Sequence, residues 1–171
     1  MMTRLAVFLI LIGLIAPLPV RADFERIELF QRHEVIAQQQ GLVGNLRALA
    51  RRDGVVTNVP QLYVYHRDFS EAYHRDGFRS GFERELELTV DRRRGARSMI
   101  RLDRLLERLK TPEGEPVILA ELPEAEVYLV FYRRLNCAEC EQVAETLRDW
   151  IAENPERRVV WLDVRTDTPR S

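Results

Sequence analysis

Two cysteines, Cys137 and Cys140, stand in the stretch "YRRLNCAECEQVAETL" with only Ala138 and Glu139 between them. Thiols at this spacing can exchange electrons with another disulfide, supply half of a tetrahedral metal shell, or tie the chain to itself. As a tie they are poorly placed. A bond across so few residues closes a very small loop, and the stabilisation from loop closure grows with loop length.

The local sequence suits the first use. Asn136 before the cysteines and Glu139 three residues on have the spacing of a reciprocal helix cap, which starts the helix at Cys137. In that register Cys140, Val143 or Ala144, Leu147 and Ile151 share one face, so Cys140 points to the core and Cys137 sits at an exposed tip. Unpaired N–H groups and the helix dipole favour a thiolate there. Arg133 and Arg134 reinforce this, while Glu139 and Glu141 oppose it.

The surrounding elements must hold that tip. "EVYLVFYR" before it is almost wholly apolar, the pattern of a strand covered on both faces, and "RVVWLDV" after it is a second buried strand. Asn154-Pro155 ends the helix between them. Upstream, "VPQLYVYH" reads as a strand over 61–66 that opens at Pro60, and "RDFSEAYHRDGFRSGFER" reads as a helix. "ELELTVD" alternates like a half-buried strand, and Ile100, Leu102, Leu105, Leu106 and Leu109 recur as on a helix. "VILAEL" reads as a short extended piece. Residues 23–58 carry two amphipathic helical patterns, with Phe24, Ile27, Phe30 and Ile36 in the first and Leu42, Leu46 and Leu49 in the second. Alternation of strand, helix and strand predicts an α/β layered domain over 59–171 with several parallel strands and an N-terminal helical extension. Tyr63, Tyr65, Tyr128, Phe131 and Trp161 fall on its strands and are expected in the core.

A buried strand, a turn, "CAEC" at a helix start and a following strand resemble the thioredoxin-like superfamily over roughly 40 residues. The resemblance implies a layered domain with a mixed sheet and a thiol–disulfide exchange site, with Cys137 as nucleophile and Cys140 as resolving cysteine. It implies no bound cofactor. The family also sets a cis-proline opposite the cysteines at the start of a later strand, but only 31 residues follow Cys140 and Pro169 precedes no strand. Val59-Pro60 stands upstream instead, followed by strand, strand and helix. That order is similar to the second half of a thioredoxin fold set before the first, with Pro60 beside Cys137. Leu135 and Asn136 stand where the family usually has an aromatic and a small residue.

Metal capture is the chief rival by spacing, with His33, His66 and His74 available to complete a Cys₂His₂ set. Haem attachment is excluded by Glu141, because that motif needs histidine after the second cysteine. Ser70, Ser80, Ser98 and Ser171 lack a nucleophile-elbow context. Arg92, Arg93, Arg94 and Arg97 read as a solvated turn.

The compartment follows from the start of the chain. Arg4, an apolar run from Leu5 to Leu18 of about 14 residues, and small residues at Val20 and Ala22 have the form of a cleaved secretion signal over 1–22. The run is shorter than the roughly 20 residues of a spanning helix and is broken by Pro17 and Pro19. A periplasmic or secreted location would keep the cysteines oxidised. The remaining 149 residues suit one domain, and their 24 basic and 27 acidic side chains point away from nucleic acid and anionic membrane. The expected partners are envelope proteins, as substrates or redox donors. The competing expectation is a non-catalytic envelope assembly module whose cysteine pair is a structural disulfide.

Overall fold

A computed structural model describes residues 24–31, 56, 58–92 and 100–167. The expected secretion signal, the second N-terminal helical pattern, His33 and most of the Arg92–Arg97 turn lie outside the described residues. The strands are β1 (Phe24–Gln31), β2 (Gln61–His66), β3 (Glu71–Asp76), β4 (Leu109–Lys110), β5 (Val127–Arg133) and β6 (Val159–Arg165). The helices are α1 (Phe82–Arg92), α2 (Leu102–Leu106) and α3 (Ala138–Glu153), with a 3-10 turn at Leu119–Glu121. None of them is long and apolar enough to cross a membrane.

The six strands form one mixed sheet in the order β3-β2-β5-β6-β1-β4. β5 lies at its centre, parallel to β6 on one side and antiparallel to β2 on the other. Both faces of β5 are covered, which is why its sequence shows no alternation of apolar and polar residues. Val127, Leu129 and Phe131 meet α1 and α3, whereas Tyr128, Val130 and Tyr132 meet α2 and the loop carrying Leu119 and Leu122. All five expected aromatic core residues are buried.

Four expected elements change type. Phe24–Gln31 is a strand, because β1 pairs in parallel with β6 over seven residues from Phe24↔Val159 to Phe30↔Arg165. Of the N-terminal segment read as helical, residues 24–31 are therefore sheet. "ELELTVD" lies in helix α1, where Phe82, Leu86 and Val90 at four-residue intervals enter the core and Leu88 is left 40% exposed. The second strand of the hairpin is instead Glu71–Asp76, inside the segment read as a helix. Its tight turn has Phe69 at φ +64°, with Phe69 N–H donating to His66 carbonyl at 2.8 Å. "VILAEL" holds the 3-10 turn rather than an extended piece.

Candidate functional site

The site grows from the end of β5. Beyond Arg133 the chain turns through Arg134 and Leu135 to Asn136, whose left-handed φ of +55° redirects it into α3. Asparagine tolerates that conformation better than most residues, so its role is in the turn. The expected Asn136 cap is one residue out of register. Cys137 is the N-cap itself: the Cys140 N–H donates to the Cys137 Sγ at 3.2 Å. Glu139 then falls at the second helical position, where it cannot complete a reciprocal cap, and it forms no side-chain hydrogen bond among the described residues.

Cys137 and Cys140 are joined by a disulfide, with an S–S distance of 2.10 Å. Cys140 is fully buried on the core face of α3, in line with Val143, Ala144 and Leu147. Cys137 is less open than its position at the helix tip led us to expect, being only 9% exposed. The left-handed turn at Asn136 folds its side chain back over the first turn and into the apolar cluster that holds Cys140, Leu62 and Phe131. Its neighbours Leu135, Asn136, Ala138 and Glu139 remain exposed.

Pro60 precedes the strand adjoining β5. The β2–β5 register pairs Gln61 with Tyr132, so Pro60 comes level with the last residue of β5, just before the turn to Cys137. The Val59-Pro60 bond is cis. The Pro60 carbonyl accepts the Gly77 N–H at 2.8 Å, and Pro60 lines a small cavity with Val143, one helical turn beyond Cys140.

Beside the disulfide lies an ion network that sequence reading missed. Asp163 on β6 is 1% exposed and accepts from Arg133 Nε at 2.7 Å and from a second Arg133 nitrogen at 2.9 Å. Arg26 of β1 donates to the same carboxylate through its Nε at 3.1 Å and stacks over the Trp161 ring at 5.3 Å. Arg133 also reaches Glu141 in the first turn of α3 at 3.3 Å. The hydrogen bond to Asp163 is the main reason the Arg133 pKa is raised. A signal was present: an aspartate in the middle of "VVWLDV" needs a cationic partner once that strand is buried.

The residues after β6 hold the turn from the other side. Thr166 donates its N–H to the Arg133 carbonyl at 2.9 Å. Partial burial acts to raise the Asp167 pKa, but hydrogen bonds from Arg165, its own N–H and the Leu135 N–H outweigh this and hold it below the usual carboxylate range.

The histidines considered as metal ligands are dispersed. His66 pairs with Val127, at the opposite end of β5 from the cysteines. His74 stacks on Tyr63 with ring centroids 4.2 Å apart, on the face occupied by α2. Among the described residues no group of three or more His, Cys, Asp or Glu side chains is arranged to hold a metal ion. No protein-family model, curated protein or solved structure matches this chain.

Proposed function

We propose that the chain is a rearranged thioredoxin-like protein of the bacterial-type envelope that exchanges disulfides with exported proteins through Cys137 and Cys140. The observation that carries this reading is the N–H of Cys140 donating to the Cys137 sulfur at the head of a 16-residue helix. An amide and a helix dipole directed at one sulfur of a pair stabilise it as a thiolate and as a leaving group. The resolving sulfur lies behind it in the core.

The arrangement of elements adds support. Proline, strand, strand and helix run in that order as Pro60, β2, β3 and α1, ahead of the strand, helix and strand formed by β5, α3 and β6. The cis Val59-Pro60 bond, level by register with the last residue of β5, supports the reading, although the residues forming the second strand and the helix differ from those read in the sequence.

In the reduced protein the Cys137 thiolate attacks one sulfur of a substrate disulfide, and the other substrate sulfur leaves as a thiolate and takes a proton. Cys140, deprotonated as it attacks, then displaces the substrate from the Cys137 sulfur. The substrate departs with two thiols and the protein holds the disulfide, so two electrons have passed to the substrate. The oxidised protein runs the same steps in reverse with a substrate dithiol. No resident cofactor enters the balance.

The near-complete burial of Cys137 favours a second reading, in which the bond is closed and structural within an assembly module. Insulin reduction by the purified protein in the presence of a dithiol distinguishes the two. Exchange predicts turnover that is abolished in Cys137→Ser, whereas the structural reading predicts a rate equal to that of the dithiol alone.

A further inference from the structure

Arg133 uses all three guanidinium nitrogens. Two form a fork on the buried Asp163 carboxylate, and the third reaches the Glu141 carboxylate at 3.3 Å. Its side chain is only 15% exposed, with the fork held against the sheet, while Glu141 is 64% exposed. Glu141 is coupled to the candidate site through its backbone as well: its N–H donates to the Cys137 carbonyl at 3.2 Å, closing the first helical hydrogen bond. Glu141 lies in the first turn of α3, directly after the capping Cys137, where an unneutralised carboxylate would oppose a thiolate at the helix N-terminus.

We infer that Arg133 is a positioning residue for the Cys137 sulfur: anchored on Asp163, it holds and neutralises Glu141, leaving the helix amides to set the acidity of the Cys137 thiol. This deepens the exchange reading and rests on it for its biological consequence. The other charges near the turn are accounted for. Arg26 shares Asp163, Arg165 is paired with Asp167 at 3.0 Å and with Glu28 at 3.7 Å, and Glu28 also acts on Arg133. Across the Pro60 cavity, Arg75 is engaged by Glu85 at 2.9 Å. Arg134 and Glu139 are exposed at the turn, and Glu139 carries no ion pair among the described residues. The two first-turn acids thus differ: Glu141 is neutralised by Arg133, and Glu139 carries no such partner among the described residues.

The test is a pH titration of thiolate ultraviolet absorbance in the reduced full chain, without substrate. In Arg133→Gln the Cys137 thiol should be about threefold less acidic, the size expected of one unscreened charge at a helical-turn distance in water. Adding Glu141→Gln should restore at least half of that change, which a merely structural lesion would not allow. A second comparison avoids any loss of the buried ion pair: Glu141→Gln alone should change the acidity less than Glu139→Gln does. Unchanged acidity in folded Arg133→Gln, no restoration in the double variant, or an equal or larger effect of Glu141→Gln than of Glu139→Gln would each overturn the inference. Because these readings need no substrate, a failed insulin assay would remove the exchange reading and leave them standing.

Discussion

The Cys140 backbone N–H donates to the sulfur of Cys137 at 3.2 Å, across the same three-residue span that their disulfide closes. One sulfur therefore serves both as helix cap and as half of the disulfide, and its partner has no solvent access. The two thiols should differ in role. Cys140→Ser retains the capped sulfur and should accumulate a mixed disulfide with an added oxidised peptide, detectable as a mass adduct under non-reducing conditions. Cys137→Ser should accumulate little. Equal trapping by both variants would contradict the assignment of attacking and resolving sulfurs.

Asn136 sets the direction in which the chain enters α3, through its φ of +55°. Asn136→Val should destabilise the protein by about 1–2 kcal/mol, the cost of placing a branched side chain in the left-handed region. Asn136→Gly should come within a few tenths of a kcal/mol of the parent, since glycine adopts that conformation without steric cost. Urea midpoints of the oxidised proteins check both.

The Asp163 carboxylate is shared by one well-buried and one half-exposed guanidinium, and the two should not be equally important. Asp163→Asn leaves Arg133 without its charge partner in the interior and should cost about 3–5 kcal/mol. Arg26→Gln removes a contact open to water and should cost less than about 1 kcal/mol. Denaturant unfolding of the two variants beside the parent gives the comparison.

His74 supplies a pH dependence. Burial holds its imidazole below the usual histidine pKa, in spite of Asp76 at 3.4 Å, which acts to raise it. The unfolded chain therefore binds more protons at this side chain than the folded one as pH falls. Its contribution to stability is complete above about pH 6.5, the unfolded value, and is lost as pH falls from there through the lower pKa of the folded state. Thermal unfolding between pH 5 and 8 should show a smaller slope in His74→Gln, in accordance with this sign.

The elements around the cysteines were legible because they are long and locally consistent. "VYLVFYR" is too apolar for anything but a doubly covered strand, and the Cys140–Leu147 spacing fits a helix alone. The misread segments are those whose neighbours decide. In β1, Ile27 and Leu29 have the two-residue period of a strand, but Phe24, Ile27 and Phe30 also match a helix. Only the parallel contact with β6, distant in sequence, resolves the ambiguity. In α1 the alternation of Leu86, Leu88 and Val90 conceals the four-residue step that packs. The hairpin between β2 and β3 turns on a left-handed phenylalanine, a residue that gives no turn signal. At the site, residue types and spacing pointed to the cysteines and the thioredoxin-like resemblance to Pro60; Asp163 in a buried strand signalled a cationic partner, but that the partners are Arg133 and Arg26, with Glu141 attached, depended on strand order.

The reduction potential of the Cys137–Cys140 pair, measured by equilibrating the purified chain with glutathione buffers, tests the central claim most directly. Exchange predicts a pair that equilibrates with glutathione and has a potential above about −300 mV, within reach of envelope redox partners. A bond that stays oxidised throughout, with a potential well below that value, would contradict it and identify the disulfide as structural.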